Sequence, residues 1–311
     1  MDTRKALNGQ AIATMLVLCA IWGLQQVAIK AAAPDVFPIM QIALRSGVAA
    51  LLVGLLMVWR GERIDFADGT WRAGLLAGFL FALEYLLVGE GLRYTSASHM
   101  VVFLYTAPIF VALGLHWRLR AERLSAVMWL GIALAFAGIV VTFFWRKQPV
   151  PSEVPMNVLW GDLLGLVAGM VWGATTVVIR CSSLAKASAS QTLLYQLVAA
   201  FVLLLLAAIA RGQTTINPSP MAWGSLLFQS LVVSFASFLV WFWLLRHYLA
   251  SRLGVFSFMT PLFGMAFGVW LLGETLEPSF LVGAILVLAG VILVSSEGVL
   301  KHLFLRLKIQ N

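Results

Sequence analysis

Two ionisable residues interrupt apolar runs, and any chemistry in this chain starts from them. Glu84 lies at the centre of the run 71–91, beside Tyr85, and Arg45 about one-third into the run 38–59. A charge in bilayer hydrocarbon is costly enough that it normally faces a cavity or a partner. Glu84 therefore reads as a group that binds a ligand ammonium, relays a proton, or pairs with Arg45. Glu90 sits near the end of the same run, where it can reach water. His99, at the start of the run 98–117, has the one side-chain type that titrates near neutral pH without help, although a structural histidine reads equally well there. His116 and His247 carry no assignment.

Polar and aromatic side chains recur at helical spacing around these charges. Trp22, Gln26 and Ile29 share one face by steps of four and three, with Gln25 adjoining. Ser230, Ser234, Ser237 and Trp241 form a second stripe. Trp172 and Thr176 repeat part of the first, and Tyr85 and Tyr105 add amphipathic rings. Hydroxyls and amides pair with amines and carboxylates, and rings hold apolar or cationic bodies. The competing reading is that Ser and Thr bond their own helix backbone and that Trp marks membrane interfaces.

Only a membrane can accommodate the elements that carry these residues. Of 311 residues, 61% are hydrophobic and 11% charged, against roughly 45–50% and about 25% in soluble domains; mean hydropathy is +0.95. This composition excludes disorder. Two cysteines, Cys19 and Cys181, and four scattered histidines provide neither a disulfide framework nor a metal site. A crossing needs about 20 apolar residues, and ten segments meet that: 11–30, 38–59, 71–91, 98–117, 124–145, 158–179, 190–210, 222–245, 253–272 and 280–296. Strand-like alternation is missing, which disfavours a β-barrel. Arg4, Lys5, the first apolar run and Ala31-Ala32-Ala33 imitate a cleavable signal, but the same region reappears later, where nothing could be cleaved.

Cations set the orientation. Arg4, Lys5, Arg60, Arg63, Arg72, Arg118, Arg120, Arg123, Arg180, Lys186, Arg246, Arg252, Lys301, Arg306 and Lys308 fall on the side of the N-terminus; only Lys30, Arg93, Arg146, Lys147 and Arg211 fall opposite. Cytoplasmic loops carry the excess of Lys and Arg, so both termini are expected in the cytoplasm. The bias also accounts for the +8 charge without a nucleic-acid partner. In the tail Val299–Ile309, Leu300, Leu303, Phe304 and Leu307 share a helical face that fits either the inner leaflet or a plain charged tail.

The chain repeats itself. Ile21-Trp22-Gly23 and Ile29-Lys30 match Val171-Trp172-Gly173 and Ile179-Arg180. Trp71 matches Trp223, Pro108 matches Pro261, Ala121-Glu122-Arg123-Leu124 matches Gly273-Glu274-Thr275-Leu276, and Ala137-Gly138 matches Ala289-Gly290. The expected organisation is a first five-helix repeat over 1–148, a Pro-rich linker over 149–157, a second repeat over 158–296 and a basic tail over 297–311. Five is odd, so the repeats are expected to be inverted in an all-α membrane fold of ten helices. Inverted repeats permit alternating access around a midplane site. Gly161, Gly165, Gly169 and Gly173, with Gly74, Gly78, Gly264 and Gly268, fit close helix packing or sliding surfaces. Pro108 and Pro261 fit fixed kinks or hinges.

In the order and duplicate spacing of these motifs (Trp-Gly in the first helix of each half, Pro in the fourth, Glu-x-Leu at the start of the fifth) the chain resembles the drug/metabolite transporter superfamily, specifically the EamA-type ten-helix exporters. The resemblance covers residues 11–296. It implies a carrier in the cytoplasmic membrane that exports small metabolites or drugs, often amino acids. Glu84 in the third helix resembles the branch that exports aromatic amino acids and paraquat. The expected carrier works without cofactor or metal, as a monomer or alternatively a dimer, with a small-molecule substrate and the lipid bilayer as its partners. Trp22, Gln25, Gln26, Glu84, Tyr85, His99, Tyr105, Trp172, Thr176, Ser234, Ser237 and Trp241 are its expected site, with Pro108, Pro261, Gly165 and Gly169 for packing or motion. An enzyme is disfavoured, because no His-Glu-x-x-His helix, Gly-x-Ser-x-Gly elbow or phosphate-binding Gly-Lys loop is present. A channel or a non-transporting scaffold is the remaining alternative.

Overall fold

A computed structural model describes residues 9–62, 69–118, 124–145, 157–248, 256–257 and 259–309. Arg4, Lys5, Arg63, Arg120, the segment 121–123, Arg146, Lys147, the Pro-rich stretch Pro149–Pro155 and Arg252 lie outside them, as do the side chains of the tail stripe Leu300, Leu303, Phe304 and Leu307.

The described chain is helical: α1 Gly9–Ala31, α2 Pro38–Trp59, α3 Thr70–Gly91, α4 Ala97–Leu104, α5 Ala107–Arg118, α6 Ala126–Phe144, α7 Val158–Cys181, α8 Ala189–Ala210, α9 Pro220–Leu227, α10 Phe238–His247, α11 Met259–Leu272 and α12 Pro278–Ile309. Seven stretches are long and apolar enough to cross a membrane, counting Ala97–Arg118 and Pro220–Trp241 as single spans. Shorter apolar helices lie at Ala126–Thr142, Met259–Leu272 and Pro278–Val294. Polar caps start many of them: the Ser96, Ser125, Asn157, Ser188 and Ser219 side chains accept N–H groups three residues on, which would otherwise lack partners. Pro38 and Pro220 occupy first turns, where the missing N–H costs nothing.

Two irregularities shape the interior. The run around 98–117 breaks at Tyr105-Thr106 instead of merely kinking. Pro108 has no N–H to offer the Leu104 carbonyl, so the helix restarts at Ala107 with Pro108 in its first turn and Ile109 N–H on Thr106 O at 2.9 Å. Pro261 likewise lies in the first turn of α11 rather than mid-helix. The second irregularity is a π-turn over Phe228–Ser237 between α9 and α10.

Near end denotes the end of the bundle where α1 begins; far end denotes the one where α1 finishes, its Lys30 bonded to the carbonyls of Leu92 and Thr95 just after α3. The segments before and after residue 150 do not form two separate bundles: α3 packs on α7 and α8, α2 on α8, α1 and α4 on α11, α4 and α5 on α7, and α6 on α12. Glycine permits that approach. A Cβ on Gly161, Gly165, Gly169 or Gly173 of α7 would meet Thr95, Met100, Phe103, Thr106 or Phe110 at 2.7–3.2 Å. Gly74 and Gly78 face Tyr195 and Ala199 of α8, and Gly23 faces Gly264 and the Thr260 carbonyl. Such contacts gain dispersion energy that lipid cannot replace. On the sequence reading of these glycines as packing or sliding surfaces, the contacts support packing.

Gly169→Ala puts a methyl 2.8 Å from the Phe103 carbonyl and 2.9 Å from that of Leu104. It is expected to lower stability by about 1–3 kcal/mol. Gly54→Ala, which meets nothing within 4 Å, is expected to leave stability unchanged or raise it by about 0.5–1 kcal/mol. Thermal unfolding of the two purified variants in one detergent compares them.

Candidate functional site

One cavity of about 440 Å³ is walled by helices from both segments. From the first segment, α1 contributes Trp22, Gln25 and Gln26, and α3 contributes Phe81, Glu84 and Tyr85. The break in the fourth run adds Leu104, Tyr105 and Pro108. From the second, α7 contributes Trp172, Thr175, Thr176 and Ile179, and α8 contributes Gln196. The π-turn, α10 and the stretch before α11 supply Val233, Phe238, Trp241 and Ser257. Gln25 and Glu84 lie roughly 10 Å below the far ends of their helices at 1.5 Å per residue. Ile179 lies about 3 Å from the end of α7 at the near end, and Trp241 about 9 Å from the end of α10. The space therefore runs from the middle of the bundle toward the near end.

Aromatic contacts fix the walls. Trp22 and Trp241 meet edge to face at 5.8 Å, Tyr105 and Trp172 at 5.3 Å, and Phe81 and Tyr85 at 4.8 Å. Trp22 Nε1 donates to Ser237 Oγ at 3.0 Å, and Ser237 in turn donates to the Val233 carbonyl at 2.5 Å. Ser237 is thus not in the wall but orients an indole that is. Of the polar wall groups, Glu84 Oε2 and Gln26 Oε1 are buried and accept no hydrogen bond. A buried acceptor without a donor costs about 1–3 kcal/mol, so both are set to receive N–H or O–H groups from a bound molecule. Arg45 does not neutralise Glu84 through an ion pair; its guanidinium lies over the Tyr85 ring, 4.5 Å from the centroid.

The structure brings together most of the residues singled out by sequence: Trp22, Gln25, Gln26, Glu84, Tyr85, Tyr105, Trp172, Thr176, Trp241 and Pro108 all face one space. It leaves out Ser234, Ser237 and His99. Ser234 is buried in the π-turn, which presents Val233 to the cavity instead. His99 stands in the far-end packing, with Nδ1 3.0 Å from both carboxylate oxygens of Asp162 and its ring stacked on Phe280 at 3.7 Å. The wall residues that sequence reasoning missed are mostly apolar and carry no signal of their own. Gln196, an amide within an apolar helix, did carry one, as did Asp162, fully buried in the second turn of α7. Among the described residues no three His, Cys, Asp or Glu side chains converge on a metal-sized site.

A family model described as the EamA-like transporter family matches residues 9–144 and again 159–296. The chain belongs to the EamA-like transporter family. Among its relatives are the uncharacterized transporter YoaV of Bacillus subtilis, 24% identical over 272 residues, covering 87% of this chain and 91% of the relative, and an uncharacterized transporter of Archaeoglobus fulgidus, 24% identical over 297 residues, covering 94% and 99%. A solved crystal structure shares the fold at a TM-score of 0.63 and 18% identity, covering 92% of this chain and 96% of its own.

In this EamA chain the far end is tied shut by polar contacts. Lys30 donates from Nζ to the carbonyls of Leu92 and Thr95. Gly273, at φ +65°, turns the chain after α11 so that Glu274 accepts the N–H groups of Ala97 (2.6 Å) and Ser98 (3.0 Å) and the Ser98 hydroxyl (2.5 Å). Thr95 donates to Asp162 at 2.5 Å, and Ser219 to Asp35 at 2.5 Å. Glu90, expected to reach water, lies 2.7 Å from Arg93 and 2.8 Å from Arg211. The carboxylate at the start of α4 also meets the positive end of a helix dipole.

Asp162→Ala strips Thr95 and His99 of a shared acceptor. It is expected to cost more stability than His99→Ala, and the two are expected to couple by about 1–3 kcal/mol. A double-mutant cycle by thermal or chemical unfolding measures that coupling.

Proposed function

We propose that this EamA-family chain is a secondary carrier that exports small amphipathic metabolites, aromatic amino acids foremost, across the cytoplasmic membrane by alternating access. The carrying observation is the cavity itself: ring-walled, holding one buried carboxylate, extended toward one end of the bundle and sealed at the other by polar contacts between the two segments. A channel needs a continuous path, and the sealed end favours a carrier over a channel. The volume lies in the usual range for a small-molecule site, ~300–1,000 Å³.

With the cations placed by the positive-inside rule, the near end is cytoplasmic. The described state is then open toward the cytoplasm, which suits loading for export. The rings receive the apolar body of a substrate, and Glu84 with Gln26 receives its ammonium. Transport needs the complementary state. In our reading ten crossings form two inverted five-helix repeats, which makes the two states similar in energy. One matched residue fits this: Lys30 bonds at the far end, and its sequence counterpart Arg180 lies at the near end, in the last turn of α7. In this scheme the break before Pro108 acts as the hinge of the fourth crossing. The carrier works as a monomer, with both termini in the cytoplasm.

Purified protein in liposomes preloaded with unlabelled L-tryptophan is expected to show saturable counterflow of labelled L-tryptophan, with a panel of aliphatic amino acids competing less well. Glu84→Gln is expected to reduce the rate tenfold or more. Non-saturable flux identifies a channel, and unchanged flux in the Gln variant removes Glu84 from the mechanism. Glu274→Gln retains the fold but weakens the far-end closure. It is expected to raise thiol labelling of a cysteine placed at Gln25 from the far side; labelling equal to that of the parent rules out Glu274 as part of the seal.

A further inference from the structure

Arg45 is a buried cation whose guanidinium rests on the Tyr85 ring. It is the eighth residue of α2, which puts it about 10 Å from the far end, level with Glu84. The two side chains are 3% and 4% exposed. Neither Nε nor Nη1 of Arg45 donates to anything, just as Glu84 Oε2 and Gln26 Oε1 accept from nothing. The guanidinium packs on the Tyr85 ring, 4.5 Å from its centroid, and Tyr85 is in the cavity wall next to Glu84 in α3. The attraction of an aromatic face does not replace the hydration that a buried guanidinium loses. Two idle donors against a cavity-wall ring and two idle acceptors in the same wall form the complement of a molecule carrying both charges.

We propose that Arg45 determines specificity: it selects substrates that carry a carboxylate along with their amine. The inference rests on the carrier reading above and deepens it. The ammonium of a zwitterion settles at Glu84 and Gln26. Its carboxylate turns toward Tyr85, where it meets the Arg45 charge across the low-dielectric wall or, once the Tyr85 ring swings aside, the guanidinium itself. A bare amine brings a second positive charge beside Arg45 without relieving it. A bare acid brings a second negative charge beside Glu84. Both are therefore rejected by repulsion as well as by lost hydrogen bonds.

The test uses three indoles that differ in which charged groups the side chain carries: L-tryptophan with both, tryptamine with the amine, and indole-3-propionate with the acid. Each competes with tryptophan counterflow in liposomes containing the full-length wild type, Arg45→Gln or Arg45→Lys. The wild type is expected to be inhibited by unlabelled tryptophan at a concentration tenfold or more below that needed for either relative. Arg45→Gln is expected to lose tenfold or more in tryptophan affinity while tryptamine affinity holds or rises, collapsing the preference; Arg45→Lys is expected to keep part of it. Equal losses for all three compounds, or an unchanged ratio, overturn the assignment and leave Arg45 a structural residue. Should Arg45→Gln fail to fold, the wild type alone decides by ligand-induced thermal shift. Stabilisation by tryptophan well beyond that by tryptamine supports the role, and equal stabilisation overturns it. A wild type that shows no counterflow of any amino acid in the panel refutes the carrier reading, a result distinct from wild-type transport without charge discrimination.

Discussion

Hydrocarbon offers no hydrogen bonds, and this one constraint organises the molecule. A polar group that loses its protein partner inside a bilayer has no water to replace it. At the far end Glu274 takes three donors from Ala97 and Ser98 in the first turn of α4, and Asp162 takes Thr95 and His99 together. Unpaired polar atoms include Gln26 Oε1 and Glu84 Oε2 in the cavity wall and Nε and Nη1 of Arg45 against Tyr85; others, such as Gln229 Oε1 and Thr260 Oγ1, lie outside the wall. Groups elsewhere in the bundle share in the same economy: Gln41 donates to the Ile29 and Val36 carbonyls and accepts from Gln229, itself bonded to Ser225.

Backbone irregularity follows the same logic. The helix breaks at Tyr105-Thr106 and widens at Phe228–Ser237, and both places touch the cavity through Tyr105, Pro108 and Val233. The freed groups are not left bare. Thr106 donates its hydroxyl to the Phe103 carbonyl at 2.6 Å, and Ser237 bonds the Val233 carbonyl and receives Trp22 Nε1. Non-helical backbone at membrane depth is tolerated where protein buries it or where it borders a cavity.

Much of this was legible in the sequence, for identifiable reasons. Run length marked the helices, since an apolar stretch of twenty residues in a chain this poor in charge has little else to do. Spacing placed Trp22 with Gln26, and Trp172 with Thr176, on common faces, and the cavity receives both pairs. What spacing does not encode is which neighbour a face meets. His99 and Asp162 are 63 positions apart, and nothing local announces their contact. Ser234 was expected on a stripe with a period of 3.6, and the backbone there is a π-turn that no local spacing announces. Lys30 and Glu274 stood out only as members of repeated motifs; their bonds to α4 and the carbonyls before it come from the fold.

The interleaving of the two segments bears on how the chain is made. Most helix partners of the first five runs lie in the second half, so the glycine-lined faces of α3 and the α4–α5 pair have no protein cover while only the first half has left the ribosome. Those faces must wait against lipid or an insertase until α7 and α8 arrive, since domains otherwise fold from the N-terminus as they are synthesised. Assembly of this protein is thus a late, concerted event of biogenesis, and a nascent chain stalled near residue 150 is a client for membrane quality control rather than a half-built bundle.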